Sequence, residues 1–450
     1  MLELQTDSIA AIATPPGTGG VAVIRISGPR ATQIATQLTH KKNFQPNTII
    51  PTGIYTAAGQ ELDRGVVSYF KAPRSYTGED IIELNCHGSY FLAQQILEEC
   101  FKAGARLATA GEFTKRAFLA GKIDLTQVEA IADMIAAKSA TATQLALKHL
   151  EGDVSQAIRA IRTEILATLA EIEACLDYPD ELEEPPRKKL QQQLLGYKKT
   201  IDQLIADAHS GIAIREGIKI ALVGKTNVGK SSLFNRLAKE SKAIVTDVHG
   251  TTRDYLEATI SLRGVTATIV DTAGIRDTQD QIEQLGIARS KEHIAAADLV
   301  LFIIDSVSGI TPEDQAVIPA LPKKTIWVIN KTDICDKKPM GIPVDATAAS
   351  ISAATGTGIV DLESAILSLM DMQNIDMANH VYISSLRQKE QLIKIQILMN
   401  TCIHSIVTAG YIDLLAVDLK SAIFALGEIT GDQVSEEIIT HIFSNFCVGK

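Results

Sequence analysis

The chain has 450 residues, 46% of them hydrophobic and 21% charged, with a formal net charge of −10. That is too long for one core, so two or three domains are expected, and the acidic balance disfavours a broad nucleic-acid surface, leaving RNA contact local or made through a partner. No apolar run reaches the roughly 18 residues of a membrane span, and no basic segment precedes the apolar stretch in MLELQTDSIAAIATPPG, so a secretory signal is not expected.

Residues 1–119 hold β-branched runs, GVAVIRISG and GVVSYF, between glycine and proline turns, with a helical stretch near 90–103. They read as a small α+β domain. Residues 120–215 change to long helices. Val154, Ile158, Ile161, Ile165, Leu169, Ile172 and Leu176 recur at steps of four and three, one stripe on a helix of about six turns. DYPDELEEPPRK breaks it with prolines, and Leu190, Leu194, Tyr197, Ile201, Leu204 and Ala208 form a second stripe. Residues 216–379 alternate apolar strands (IKIALVG, TATIVDTAG, LVLFIIDS, TIWVINK) with helical segments, which implies a mainly parallel α/β sheet. Residues 380–450 are helical again. The economical organisation is a helical domain interrupted by an inserted α/β domain, since insertion is easy where termini lie close. Cys86, Cys100, Cys175, Cys335, Cys402 and Cys447 never form C-x-x-C, which fits reduced thiols in a cytoplasm rather than a disulfide frame or zinc site.

GKTNVGKS, 224–231, matches G-x-x-x-x-G-K-[ST] between a strand and a helix. In that context Asn227, Val228, Gly229, Ser231 and Ser232 line a phosphate cradle, Lys230 reaches the β- and γ-phosphates, and the Ser231 hydroxyl binds Mg²⁺. AIVTDVHGTTRD, 243–254, is the expected switch segment. Thr246, Asp247, Val248, His249, Gly250 and Thr251 would face the nucleotide, with Thr252 a candidate Mg²⁺ ligand. DTAG places Asp271, Thr272, Ala273 and Gly274 at the next strand end, a carboxylate for the Mg²⁺ shell and an N–H for the γ-phosphate. NKTD supplies Asn330, Lys331 and Asp333. The Asp333 carboxylate can accept both N1–H and N2–H of guanine, a donor pair that adenine lacks. SAA, Ser352, Ala353 and Ala354, fits a loop whose backbone N–H meets guanine O6. One such strand-end carboxylate could be incidental, but four motifs in this order point to a Ras-like P-loop GTPase. Ile275 follows DTAG and cannot orient water. Glu283 in DQIEQLG can hold the attacking water, or can simply be a solvated helix residue.

These blocks, with ATPPGTGGVAVIRISGP, SYTGEDIIELNCHG, GEFTKRAFLAGKIDLTQVEAIADMI and a terminal CVGK, make the whole chain closely resemble the tRNA modification GTPases called MnmE or TrmE. The N-terminal blocks and CVGK carry the resemblance, because the GTPase motifs are shared more widely. It implies an N-terminal folate-binding and dimerisation domain, a helical domain completed by the C-terminus, and an inserted G domain. It implies a cytoplasmic homodimer acting with the FAD protein MnmG (GidA), as a heterotetramer, to modify the wobble uridine of certain tRNAs at C5. A formyl- or methylene-tetrahydrofolate would carry the one-carbon unit, and tRNA would be bound largely through the complex. G domains would be activated by pairing, with K⁺ in place of an arginine finger, held by Asn227, the carbonyls of Thr246 and Val248, and Thr251, while Glu283 acts through water. The folate pattern falls on Arg25, Glu83, Lys122 and Lys450. Without the resemblance, Arg25 and Lys122 read as ordinary surface charges. Thr18 stands where the family block has arginine.

FSNFCVGK puts Phe443 and Phe446 just before Cys447. A frayed end is one expectation. Gly449 and Lys450 suit a lipidated C-a-a-X box poorly. Docking of Ile442, Phe443 and Phe446 would instead carry the tail toward the folate site, where Cys447 is either a nucleophile toward the uracil ring or folate adduct or a packed, inert thiol. Two rivals stay open: a GTP-dependent switch or scaffold, as in ribosome assembly, without one-carbon chemistry, and a GTPase using Arg253 or Arg276 as its own finger.

Overall fold

The computed structural model describes residues 7–240, 256–271, 294–335, 339–373, 375–408, 412–444 and 446–450. In chain order the first elements are β1 (Ile9–Ile12), β2 (Thr18–Ser27), α1 (Ala31–Thr39), β3 (Ile49–Tyr55), β4 (Glu61–Phe70), β5 (Ile81–Ser89), α2 (Tyr90–Lys102), β6 (Arg106–Leu107) and α3 (Glu112–Leu119). Their sheet has the order β3-β4-β5-β2-β1-β6. It is antiparallel except for the β1–β6 pair. Successive strand residues face opposite ways. So Ala22, Ile24 and Ile26 of β2 join Ile34 of α1 and Ile96 of α2 in one core, while Ile9 and Ala11 of β1 pack with Ala108 and with Phe113 of α3 in another. Arg25, in register with Ala11 and Glu83, belongs to that second face.

A charge network, buried at Arg116 and Glu112 and open at Arg106 and Asp7, holds α3. The Arg116 guanidinium donates to Glu112, Glu79 and Asp7, and Arg106 donates to Glu112 and Asp7. Burial pushes the Glu112 carboxyl up. Hydrogen bonds from Arg106, the Thr109 N–H and Arg116 outweigh that and hold it at about 2. Ser27 donates to Glu79 at 2.7 Å, which ties the same network to β2.

The chain continues through α4 (Leu125–Ala136), α5 (Ala140–Glu151), α6 (Asp153–Asp177) and α7 (Arg187–Glu216). Both predicted stripes are buried, except Leu176, which is exposed one residue before α6 ends. Next come β7 (Ile218–Val223), α8 (Lys230–Glu240), β8 (Leu256–Leu262), β9 (Val265–Asp271), β10 (Leu299–Asp305), α9 (Pro312–Val317), β11 (Thr325–Asn330), β12 (Ala348–Ser350) and α10 (Ile359–Leu369). This sheet has the order β12-β11-β10-β7-β9-β8. It is parallel apart from the β8–β9 hairpin, which the apolar runs did not announce. Every residue of β11 is buried, as a strand covered on both faces requires. The chain closes with α11 (Leu386–Val407), α12 (Ile412–Thr430) and α13 (Glu436–Ser444).

Two compact units emerge. One comprises Met1–Ala132, His149–Glu183 and Asp413–Lys450, the other Asp133–Lys148 and Glu184–Ile412. In the first, α13 seats Ile439 and Phe443, with Phe446 beyond it, against Leu125 and Val128 of α4. In the second, Ala142 and Leu145 of α5 share a core with the parallel sheet.

Candidate functional site

In the second unit the motif loops gather at the C-terminal ends of parallel strands, where ligands bind in open α/β sheets. The turn between β7 and α8 places Asn227 and Gly229 at positive φ, 62° and 99°. Only a glycine fits at 229, because a Cβ there would lie 2.2 Å from the Asn330 side-chain nitrogen. Lys230 is buried, and its ammonium donates to the Gly224 and Lys225 carbonyls at 2.7 Å each. Ser231 follows in the first turn of α8. At the end of β9, the backbone of Asp271 pairs with Leu222 of β7.

Asn330 links the NKTD and SAA segments to the GKTNVGKS turn. It is 2% exposed, its side-chain NH₂ donates to the Val228 carbonyl at 2.8 Å, and its side-chain oxygen accepts the Ala353 N–H at 3.0 Å. Lys331 takes φ 66° and pairs with Asp305 at 2.8 Å. Burial raises the Asp305 carboxyl, but Lys331 and nearby N–H groups outweigh it and hold the carboxyl below its ordinary range. Asp333 is exposed. Ser352 is fully buried, its hydroxyl accepting the Thr355 N–H. Arg236 of α8 donates to the Ala353 carbonyl at 3.1 Å and also to the Ala354 carbonyl. No motif announces Arg236; its one signal is its place on the helix that opens with Lys230. Thr246, Asp247, Val248, His249, Gly250, Thr251, Thr252, Thr272, Ala273, Gly274 and Glu283 lie outside the described residues, as do Arg253 and Arg276.

The first unit brings Arg25, Glu83 and the tail together. Arg25 Nε donates to Glu83 at 2.9 Å, and Nη1 donates to the Gly449 carbonyl at 3.4 Å. The guanidinium lies 5.6 Å from the centroid of the Phe113 ring, a cation–π contact that the sequence did not signal. Tyr76, from the SYTGED block, donates to or accepts from Thr114 at 2.9 Å. Burial raises its phenol against the opposing pull of Thr114 and the Arg25 charge.

The tail is docked, not frayed. Phe443 and Phe446 are buried, Val448 bridges Ala110, and the Gly111 N–H donates to the Cys447 carbonyl at 3.4 Å. Gly449 has φ 104°, and a Cβ there would lie 2.3 Å from the Ile12 carbonyl, so the tail meets β1 only with glycine at this position. The Lys450 N–H closes a turn onto the Cys447 carbonyl. Cys447 itself is exposed. Lys122 donates to the Pro73 and Ser75 carbonyls at 2.6 and 2.9 Å. Thr18 is exposed at the start of β2, opposite Ser89.

Residues 8–122 match the family described as GTP-binding protein TrmE N-terminus, and residues 125–447 match the MnmE helical domain. The chain is 41% identical over 468 residues to a tRNA modification GTPase MnmE of Ligilactobacillus salivarius, covering 100% of this chain and 99% of that protein. It is 40% identical to proteins of the same name from Thermoanaerobacter pseudethanolicus, over 457 residues, and Thermotoga petrophila, over 455. These two alignments each take in 99% of this chain, and 99% and 100% of the respective relatives.

Proposed function

From the premise that this chain belongs to the MnmE family of tRNA modification GTPases, we propose that it couples GTP hydrolysis to modification of the tRNA wobble uridine at C5. It is a GTPase. The product would be of the carboxymethylaminomethyl or aminomethyl type, made in the cytoplasm by a homodimer with the FAD protein MnmG and a reduced folate. The observation that carries this reading is the tail laid on β1, with Arg25 between Glu83 and the Gly449 carbonyl. Arg25 and Glu83, both partly accessible, are of the types that pair with ligand carboxylates and with ring N–H donors respectively. Arg25, Glu83, Lys122 and Lys450 would hold the folate, which supplies the one-carbon unit when bound.

At the other site, Lys230 would offset phosphate charge, Ser231 and Thr252 would offer hydroxyls to Mg²⁺, and Glu283 would hold the attacking water. The Ser231 hydroxyl closes the GKTNVGKS motif and the Asp271 carboxylate opens DTAG; both are hard oxygen donors of the kind that Mg²⁺ takes. Asn227, Thr246, Val248 and Thr251 would hold K⁺ once two G domains pair, where a cation offsets developing charge.

The test is GTP turnover in KCl against NaCl, together with equilibrium binding of a reduced folate to the full chain. Several-fold faster turnover in KCl and saturable folate binding are expected. Folate binding that fails altogether would favour a GTP-dependent switch or scaffold.

A further inference from the structure

Arg236 makes contacts that the GTPase motifs do not assign. It lies on α8, the helix that begins with Lys230, and its guanidinium donates to the carbonyls of both Ala353 and Ala354. The Ala353 N–H is donated to Asn330, and the other end of the Asn330 side chain holds the Val228 carbonyl of the phosphate loop. A closed circuit results. It runs from the phosphate loop along α8 to Arg236, through Ala353 to Asn330, and back to the phosphate loop.

The geometry of the peptide bond gives this circuit a consequence. A trans peptide is planar, and its C=O and N–H point in opposite directions. With the Ala353 carbonyl turned onto Arg236, the N–H of the same peptide, that of Ala354, is turned away from it. The Ala354 carbonyl is gripped as well, and the Thr355 N–H is donated to Ser352, so neither neighbouring peptide is left to rotate. A planar guanidinium spanning two carbonyls restrains more than a point charge does.

We propose that Arg236 is a positioning residue for base selection: by holding the Ala353 and Ala354 carbonyls it fixes the Ala354 N–H as the donor to guanine O6. This rests on reading 352–354 as the loop that meets O6. Arg236 touches no substrate itself, so its removal should change which base is preferred rather than only how tightly nucleotide binds.

The experiment uses the full-length chain and compares GDP with two analogues. In 6-thio-GDP a weaker acceptor, sulfur, replaces O6 while the edge facing Asp333 is kept. In inosine diphosphate O6 is kept and the 2-amino group is lost. The wild-type chain should prefer GDP over 6-thio-GDP several-fold. In Arg236→Ala that preference should fall toward unity while the preference over inosine diphosphate stays, and Arg236→Lys, with one donor nitrogen in place of a fork that spans both carbonyls, should fall between. Proportional weakening of all three nucleotides with both preferences intact would overturn the proposal and leave Arg236 a packing residue. If Arg236→Ala fails to fold by circular dichroism, Arg236→Lys decides: a wild-type preference over 6-thio-GDP in that variant overturns it. Absence of any such preference in the wild-type chain would overturn the reading of the loop itself, before any substitution is made.

Discussion

The nucleotide loops and the docked tail are built in opposite ways. The phosphate cradle is one strand, one turn and one helix within 218–240, so its closure costs little chain entropy. The tail site joins Arg25 to Gly449, 424 residues away, and long closures cost more. Something outside the site must hold it. Phe443 and Phe446, packed on Leu125 and Val128, contribute roughly 3–6 kcal/mol by burial, which offsets much of the roughly 1–2 kcal/mol per residue that ordering the tail costs. One region carries its own structure; the other depends on a remote apolar cluster.

If that contrast is right, damage to one region should leave the assay of the other intact. The largest effect is expected from deleting residues 447–450. Reduced-folate binding and tRNA modification should fall to background in a reconstituted assay, with GTP affinity and KCl-stimulated turnover kept. Parallel loss of GTP turnover would break the separation. Lys230→Ala should weaken GTP binding about 1,000-fold, roughly 4 kcal/mol for stranding phosphate charge, with folate binding unchanged by calorimetry.

Glu112→Gln leaves Arg106 and Arg116 short of a counter-charge and should destabilise the first unit by about 3 kcal/mol, read from denaturant unfolding. The pH dependence has the same root. Glu112 is held at about 2, below its ordinary 4.5, so its stabilisation is complete above about pH 4.5 and is lost as pH falls toward 2. Glu112→Gln should flatten that acid limb, and an unchanged limb would remove the network from the account. The smallest effect sharpens the comparison inside one loop. Asp333→Asn should cost about 2 kcal/mol in GTP affinity and gain xanthosine nucleotide. Unchanged guanine preference in a competition assay would remove Asp333 from the base site.

How much was legible follows the same division. Lys230, Asn330 and Ser352 were readable because each sits in a short motif whose spacing states its geometry. The sequence places Asn330 only within NKTD, whereas its position as the tie between Val228 and Ala353 needed coordinates, because no spacing encodes a contact between separate strand-end loops. The apolar stripes of α6 and α7 were readable because burial repeats with the helix. Arg25 looked like a surface charge, since nothing within ten residues of it reveals Phe113 above it or Gly449 beside it. Its place came only from resemblance to a family.

The distribution of thiols has a practical consequence. Cys86, Cys100, Cys175 and Cys402 are buried, and burial pushes Cys86 up to about 11 and Cys100 up to about 12, so an alkylating reagent reaches them slowly in the folded chain. Cys447 is exposed and Cys335 partly so. One belongs to the tail and the other follows NKTD by two residues. The molecule therefore carries a native reporter at each of its two regions, and the rate at which each thiol is labelled reads the occupancy of its neighbourhood without an added probe.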